Sequence, residues 1–242
     1  MRFINLGTKE EACHYVANEL LKQMISDHQS VLGLATGGTM KDVYARLVEL
    51  IQMNQLDLSE IKTFNLDEYI GIDSDHPESY NTYMHQVLFD HFSSWNEEHI
   101  HLPNGSVEQL DVEAERYEAL IDEQGPIDVQ ILGIGENGHI GFNEPGTSFN
   151  SLTSVVNLTE STIEANSRYF DDVNEVPKQA ISMGIKSILK AKRIILLAYG
   201  PKKKEAVQQL LSGEITTQLP ASVLYNHPSV EVILDADAYP NQ

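Results

Sequence analysis

Short apolar runs alternate along the chain with longer stretches in which apolar residues recur every three or four positions. The short runs predict β-strands, and the longer stretches predict amphipathic helices. Strands are predicted over residues 31–35, 61–65, 128–132, 154–158, 193–198 and 230–234. Helices are predicted over residues 8–22, 79–92, 112–124, 161–167 and 202–211, and around an apolar face formed by Val43, Leu47, Leu50 and Ile51.

This alternation of strands and helices predicts an α/β fold of the Rossmann-like type, with a mostly parallel twisted sheet and helices on both of its faces. The sequence contains no internal repeat, low-complexity tract or long linker, so residues 1–242 are predicted to form a single domain. In sheets of this kind the functional site lies outside the carboxyl ends of the strands. Functional residues are therefore expected directly after the predicted strands.

The charge of the chain restricts its partners. The 36 Asp and Glu residues outnumber the 16 Lys and Arg residues, which gives a formal net charge of −20 at pH 7. A chain this acidic repels nucleic acids and anionic membranes. Neither partner is expected, and an anionic ligand would have to be held by a few local donors.

The residue counts exclude several further classes of protein. The single cysteine, Cys13, cannot form an intramolecular disulfide or a cysteine-based zinc site, and its helical spacing predicts a place in the core. No apolar run approaches the ~18 residues of a membrane span. The first seven residues lack the apolar core of a signal peptide, so a cytoplasmic location is expected.

The segment Thr36-Gly37-Gly38-Thr39 follows the first of these strands and leads directly into a helix. Paired glycines allow a ligand to approach the backbone, and the N–H groups and positive dipole end of a helix N-terminus favour a phosphate. No Gly-Lys-Ser/Thr follows, so the segment is not a Walker motif. A phosphate site is favoured over the alternative of a plain turn with Thr39 as the helix cap.

Two adjacent carboxylates, Asp67 and Glu68, follow the second strand. At a strand end they could carry out acid and base chemistry, or one of them could cap backbone N–H groups in a solvated turn. The residues alone leave both interpretations open.

A glycine-rich segment, residues 133–146, follows the next strand. Its first glycines match the dinucleotide fingerprint, but later glycines and Pro145 are incompatible with the helix that this fingerprint requires. The segment is instead predicted to be a rigid loop that presents His139 and Glu144. A metal site is not expected, because no third ligand accompanies the pair at a metal-binding spacing. A catalytic histidine is favoured over a core histidine.

Three consecutive lysines, Lys202, Lys203 and Lys204, lie between a predicted strand and a predicted helix. A cation at a helix N-terminus opposes the helix dipole, which suggests that an anion is held between the two. Two of the three lysines are interpreted as ordinary surface residues. Arg168 is a second candidate for holding the anion.

Together these segments resemble the glucosamine-6-phosphate deaminases. The resemblance extends from the first predicted strand to the last and is carried by residues 34–39, 64–69, 135–145 and 165–168, with Gly200 and Lys203. The segments around Asp67 and His139 are highly specific, whereas the Gly-Gly-Thr loop is shared by wider relatives. The family is similar in fold to phosphogluconolactonases and ribose-5-phosphate isomerases.

The resemblance implies a reaction in which D-glucosamine 6-phosphate and water give D-fructose 6-phosphate and ammonium. It implies a cytoplasmic hydrolase of amino-sugar and N-acetylglucosamine catabolism, with a small sugar phosphate as partner. No cofactor and no metal are expected. Assembly as a homo-oligomer is compatible with the resemblance.

The resemblance also assigns catalytic roles. Asp67 would be the base that moves a proton between C2 and C1 of the open sugar, with Glu68 beside it as a supporting acid. His139 would open the pyranose ring, polarised by Glu144 and grouped with Asn137.

The substrate phosphate would be held by Gly38, Thr39, Arg168 and Lys203, and Gly37 and Glu68 are also counted among the substrate-binding residues. Residues 154–183 are similar to the mobile active-site lid of the family, and Arg168 lies within this segment.

The sequence departs from some family members at two places. Asn137 stands where they have an aspartate; it supplies a hydrogen bond without a charge, which alters the expected pH dependence and not the reaction.

Ser154 and Val156 stand where some hexameric members have an Arg and a Lys that bind an activator, N-acetylglucosamine 6-phosphate. Those members also have a C-terminal extension, whereas this chain stops at Gln242. Activation is therefore expected to be absent.

Two other functions are weighed against this one. A 6-phosphogluconolactonase-like hydrolase shares the fold and the phosphate loop, but it would not need the Asp67-Glu68-Tyr69 element. A non-catalytic sugar-phosphate sensor would carry a helix-turn-helix before its first strand, whereas only one helix is predicted before Val31. Such a sensor would also not need Asp67, His139 and Glu144 together.

Overall fold

The computed structural model describes residues 1–167, 170, 172 and 175–240. Its strands are β1 Arg2–Asn5, β2 Val31–Leu34, β3 Lys62–Asn65, β4 Asp67–Tyr69, β5 Ile100–His101, β6 Val129–Gly133, β7 Ser154–Asn157, β8 Gln179–Ser182, β9 Arg193–Ala198 and β10 Val230–Leu234. Its α-helices are α1 Lys9–Ser26, α2 Lys41–Asn54, α3 Tyr80–Val87, α4 Leu110–Gln124, α5 Glu160–Ser167, α6 Ile185–Ile188 and α7 Lys204–Leu211.

Seven of the strands form one parallel sheet in the order β1-β10-β9-β6-β2-β3-β5. Helices α1, α2 and α3 connect strands in the direction from β1 towards β5, and right-handed crossovers place them on one face of the sheet. Helices α4 and α7 connect strands in the opposite direction and therefore lie on the other face. In agreement, α2 contacts both α1 and α3, while α4 contacts β7 and β8. The predicted parallel α/β fold is confirmed.

The direction of the crossovers reverses between β2 and β6, which are neighbours in the sheet. The loops after these two strands diverge to opposite faces and leave a crevice at their carboxyl ends. The two segments singled out for their glycines, residues 36–39 and 133–146, follow these two strands. The topology therefore brings together loops that are about one hundred residues apart in the sequence.

A second, antiparallel sheet in the order β4-β8-β7 was not predicted. Its member β4 is the Asp67-Glu68-Tyr69 element itself, which is too short to show an alternating pattern. The strand predicted over residues 154–158 belongs to this sheet as β7, not to the parallel sheet. Strands β7 and β8 and helix α5 are the regular elements in the described part of residues 154–183, whose mobility as a lid stays a prediction.

Several element ends differ from the prediction. Helix α3 stops at Val87, because Leu88 leaves helical geometry with a φ of −141° and a short 3₁₀ turn follows. The predicted helix over 202–211 begins only at Lys204, after a 3₁₀ turn over Pro201–Lys203. The edge strand β1, of four residues, was also missed.

The core lies between the parallel sheet and its helices. Among its fully buried large side chains are Phe64, Tyr44 and Tyr117. Cys13 is 1% exposed, as predicted, and burial raises the pKa of its thiol to about 11. No described helix is both long enough and apolar enough to cross a membrane.

Candidate active site

A cleft of about 1100 Å³ opens at the carboxyl ends of β2 and β6. Most of the predicted site residues line it, namely Gly37, Gly38, Thr39, Asp67, Asn137, His139 and Lys203. Doubly wound sheets bind their ligands at this position. A cleft lined by both carboxylate and cationic side chains is typical of a site for a small molecule.

The loop after β2 presents backbone N–H groups to the cleft. Gly37 has a φ of +91°, a backbone conformation that residues other than glycine rarely adopt. Within the described residues, the N–H groups of Gly38 and Thr39 have no hydrogen-bond partner. They lie just ahead of α2, whose dipole favours an anion at this end.

The structure separates the lysines that the sequence left together. Lys203 lines the cleft, is largely buried and has no ion pair within the described part of the chain; burial lowers the pKa of its ammonium group. Lys202 points to solvent, with its side chain 80% exposed and its Nζ 3.6 Å from Glu136 Oε1. An unpaired, partly desolvated cation is suited to hold an anionic ligand. Arg168, the other predicted cation, lies outside the described residues.

Asp67 lies at the floor of the cleft and is only 6% exposed. It begins β4, where it pairs with Ser182 of β8. Its carboxylate has no hydrogen-bond partner among the described residues, and a Cβ at Gly141 would lie 3.7 Å from its Oδ2. Burial, followed by the repulsion of Glu68, raises the pKa of Asp67 to about 8. A carboxyl group that titrates near neutral pH is well placed to act as a general base.

Glu68 does not line the cleft, contrary to its predicted place among the substrate-binding residues. Its carboxylate accepts hydrogen bonds from the backbone N–H groups of Tyr69, Tyr80 and Asn81, at 2.8, 2.9 and 2.8 Å. Two of these donors belong to the first turn of α3, so Glu68 caps that helix. Burial raises the pKa of Glu68, although these three N–H groups act in the opposite direction.

His139, Glu144 and Asn137 form one cluster in the loop after β6. Glu144 Oε1 lies 3.2 Å from His139 Nδ1, and Glu144 Oε2 accepts a hydrogen bond of 2.7 Å from the Asn137 amide. Burial favours the neutral form of Glu144, but its contacts with His139 and Asn137 outweigh this and lower its pKa. The carboxylate stays ionised beside the imidazole and can orient it. Of this cluster, His139 and Asn137 line the cleft, and Glu144 lies behind them.

Two further cleft residues were not predicted. Thr162 of α5 donates a hydrogen bond of 3.1 Å to Glu144 Oε1, which connects the predicted lid to this cluster. Lys41, the first residue of α2, lines the cleft with its Nζ 6.0 Å from the centre of the Tyr83 ring. The position of Lys41 two residues after Thr39 was a usable signal, whereas nothing in the sequence pointed to Thr162.

An aromatic wall closes one side of the cleft. Tyr69 and Tyr80 have ring centres 4.5 Å apart, and Phe142 lies 6.1 Å from Tyr69. The hydroxyl of Tyr80 donates to that of Tyr69 over 3.0 Å. These rings line the same cleft as Asp67, whose burial raises its pKa.

Comparison with known proteins shows the family of the chain. The model of the glucosamine-6-phosphate isomerases/6-phosphogluconolactonase family matches residues 7–234. A glucosamine-6-phosphate deaminase of Staphylococcus epidermidis is 61% identical over 241 residues, which cover 100% of this chain and 99% of that protein. One of Staphylococcus haemolyticus is 58% identical and covers 97% of each chain.

Solved structures show the same fold. A monomeric glucosamine-6-phosphate deaminase superposes with a TM-score of 0.96 at 46% identity, over 98% of both chains. A 6-phosphogluconolactonase from Leishmania guyanensis has a TM-score of 0.78 at 18% identity, over 98% of this chain and 97% of that one, which shows the shared fold alone.

These findings also correct the sequence analysis. The enzyme class expected there, a hydrolase, is wrong: the similar proteins are named deaminases, and the family model describes isomerases together with the lactonase. Because that model spans nearly the whole chain and full-length relatives exceed half identity, the chain belongs to the glucosamine-6-phosphate isomerase/6-phosphogluconolactonase family.

Proposed function

We propose that this protein converts D-glucosamine 6-phosphate and water to D-fructose 6-phosphate and ammonium. The observation that carries the proposal is the placement of a desolvated carboxyl group, Asp67, in one cleft with the His139–Glu144 pair and the unpaired cation Lys203. The full-length similarity to proteins named glucosamine-6-phosphate deaminase supports it.

Ring opening is the first step. The pyranose opens when a base takes the proton of the C1 hydroxyl and an acid protonates the ring oxygen, and one imidazole can do both in turn. His139 is the only described histidine that lines the cleft, and Glu144 lies against its Nδ1 at 3.2 Å. The Nε2 side of the ring is thereby left for the sugar.

Isomerisation and loss of the amine follow. Asp67 removes the proton from C2 of the open sugar while the C1 oxygen takes up a proton from a group other than Asp67, which gives an enolamine. Asp67 then returns its proton to C1, which leaves an iminium at C2. Water then adds to C2, and the nitrogen leaves as ammonia and is protonated. A positioned base of this kind contributes ~10²–10⁴ in rate. Glu68 supports Asp67 indirectly, through its cap on α3 and its charge.

The phosphate binds at the opposite end of the substrate. The N–H groups of Gly38 and Thr39 and the ammonium group of Lys203 are the described donors for it, with Gly37 shaping the turn. Arg168 remains a predicted fourth contact. This binding energy positions C1 and C2 at the reacting groups.

Other parts of the proposal rest on the charge of the chain. A net charge of −20 supports a cytoplasmic metabolic enzyme without nucleic-acid or membrane partners. Assembly as a homo-oligomer stays a prediction, and the similar structure is described as that of a monomeric deaminase. Sedimentation of the purified chain tests this point.

The direct test is release of ammonia from glucosamine 6-phosphate by the purified protein. Appearance of fructose 6-phosphate in equal amount is expected. Glucosamine without its phosphate serves as the control for the phosphate site, and 6-phosphogluconolactone as the control for the lactonase alternative. Hydrolysis of the lactone without ammonia release from the amino sugar would refute the proposal.

The pH dependence follows from Asp67. Its pKa of about 8 means that the base is ionised in only part of the free enzyme at neutral pH. We expect kcat/KM to rise with pH up to about 8 and to fall towards tenfold per pH unit below it. The measurement is kcat/KM from pH 6.5 to 9.5, with fructose 6-phosphate binding followed over the same range. A profile that is flat from pH 6.5 to 9 would contradict the raised pKa of Asp67.

Gly135→Ala should impair catalysis, because the added Cβ would lie 2.4 Å from His139 Cε1 and would displace the ring. We expect a loss of about tenfold or more in kcat, with fructose 6-phosphate binding little changed. Gly133→Ala is the matched control, since a Cβ there meets nothing nearer than Met40 Cε at 4.0 Å. Equal activities of the two variants would argue against a catalytic His139.

Activation by N-acetylglucosamine 6-phosphate is expected to be absent. Ser154 and Val156 in β7 supply no cation where the resemblance places an Arg and a Lys. Loss of two charged contacts, each worth ~1.5–3 kcal/mol, removes most of the affinity of a phosphate effector. Rate curves should be hyperbolic in glucosamine 6-phosphate with and without millimolar effector. A sigmoidal curve that the effector makes hyperbolic would contradict this expectation.

A further inference from the structure

Tyrosine hydroxyls from three separate elements hold the backbone of the loop after β2. Tyr44 of α2 donates to the carbonyl of Ala35 over 2.6 Å. Tyr83 of α3 donates to the carbonyl of Gly37 over 2.9 Å, and Tyr199, directly after β9, donates to that of Gly38 over 3.2 Å.

The loop needs such support because its own residues provide little. A Cβ at Gly37 or Gly38 would meet no atom within 4 Å, so no other atom packs against these two residues on the side where a side chain would lie. Glycine also loses more backbone freedom on ordering than any other residue. The hydrogen bonds of the carbonyl groups are therefore what fixes the course of this segment. Met40 adds one of them, from its N–H to the carbonyl of Gly37 over 3.1 Å.

The hydroxyl groups also determine which backbone atoms face the cleft. A carbonyl oxygen repels an anion, whereas an N–H group binds it. With the oxygens of Gly37 and Gly38 engaged by Tyr83 and Tyr199, the N–H groups of Gly38 and Thr39 are left for a ligand. Neither has a partner among the residues that the structure describes.

The three tyrosines are not equivalent. Tyr44 is fully buried in the core and holds the end of β2. Tyr83 lines the cleft. Tyr199 does not line it, and the Nζ of Lys9 lies 4.7 Å from the centre of the Tyr199 ring. Tyr83 and Tyr199 approach the loop from different elements, α3 and the segment after β9, and engage its two successive glycines.

We propose that Tyr83 and Tyr199 are positioning residues of the phosphate site, which hold the carbonyl groups of Gly37 and Gly38 away from the anion and so preorganise the N–H groups that bind it. The identity of the anion as a sugar phosphate rests on the proposed function. The hydroxyl contacts do not, so the two claims can fail separately.

The test compares Tyr83→Phe, Tyr199→Phe and the double variant with Tyr225→Phe. Tyr225 is the matched control, because its hydroxyl also donates to a backbone carbonyl, that of Leu210 over 2.9 Å, but it does not line the cleft. Affinities for fructose 6-phosphate and for inorganic phosphate are measured by calorimetry, with melting temperature and kcat recorded for each variant.

We expect each cleft variant to lose about three- to tenfold in affinity for both ligands, as the loss of one hydrogen bond implies, and the double variant to lose more. The KM for glucosamine 6-phosphate should rise by the same factor and by more than kcat falls, and Tyr225→Phe should bind both ligands as the wild type does. Unchanged affinity in the double variant would overturn the proposal, whatever its melting temperature.

The wild-type protein separates this proposal from the proposed function. If it binds both phosphates but releases no ammonia, the reaction is wrong and the tyrosine variants still test the loop. If it binds neither phosphate, there is no phosphate site for the tyrosines to position, and this inference fails.

Discussion

Asp67→Asn should reduce turnover by ~10²–10⁴ while substrate binding stays close to that of the wild type. The change is nearly isosteric, and it removes the group that takes the C2 proton. The expected readouts are loss of ammonia release, loss of exchange of the C2 proton with solvent, and retained fructose 6-phosphate binding. Exchange at a nearly normal rate in the variant would exclude Asp67 as the base.

The same substitution should stabilise the fold. The pKa of Asp67 is about 8 in the folded protein against an ordinary value of 3.8, so between these pH values the folded state binds the proton and the unfolded state does not. This contribution to stability is present below pH 4 and is lost as pH rises to about 8. Asparagine avoids the loss, and the gain should reach several kcal/mol at pH 9, at about 1.4 kcal/mol per pKa unit.

Urea unfolding at pH 5 and pH 9 measures this gain. The difference between Asp67→Asn and wild type should be several kcal/mol larger at pH 9 than at pH 5. Asp111→Asn, on the exposed side of α4, is the control for removing one negative charge from an acidic chain. Equal gains from both substitutions at pH 9 would mean that Asp67 is not desolvated in solution.

Lys203→Ala should raise the KM for glucosamine 6-phosphate by roughly 10–100-fold, because a charge-assisted phosphate contact is worth ~1.5–3 kcal/mol. The affinity for fructose 6-phosphate should fall by the same factor. Binding of fructose without the phosphate should not change.

Lys202→Ala is the control for the charge at this position in the chain. Lys202 is exposed and pairs with Glu136, so its removal should change KM less than twofold. If both variants raised KM equally, the effect would come from the general electrostatic field and not from a contact with Lys203.

The strand-end rule predicted most of the candidate site, because carboxyl ends of parallel strands meet at one edge whatever their distance in the sequence. It brought together the glycine loop after β2, His139 after β6 and Lys203 after β9. The rule cannot say which of two neighbouring residues faces the cleft. Asp67 and Glu68 point to opposite sides of β4, as successive strand residues do, so only one of them lines it.

Other features depend on contacts that one sequence does not display. In the antiparallel sheet, β4 and β8 have only three and four residues, and their patterns are too short to recognise. The strand β7 was predicted, but its place in this sheet was not. The hydroxyl groups of Tyr83 and Tyr199 reach the loop only through the packing of α3 and the end of β9 around it. Thr162 meets Glu144 in the same way, from a helix with no distinctive sequence.

In the proposed complex, different sheets would hold the two ends of the substrate. The phosphate donors follow β2 of the parallel sheet, whereas Asp67 belongs to β4 of the antiparallel sheet. The distance from the phosphate donors to Asp67 is therefore fixed by how the two sheets pack. This distance determines which carbon of a bound sugar phosphate lies at Asp67. An amino sugar phosphate with one carbon fewer would bind through its phosphate and present the wrong carbon to Asp67, so length would be selected at the chemical step and not in binding.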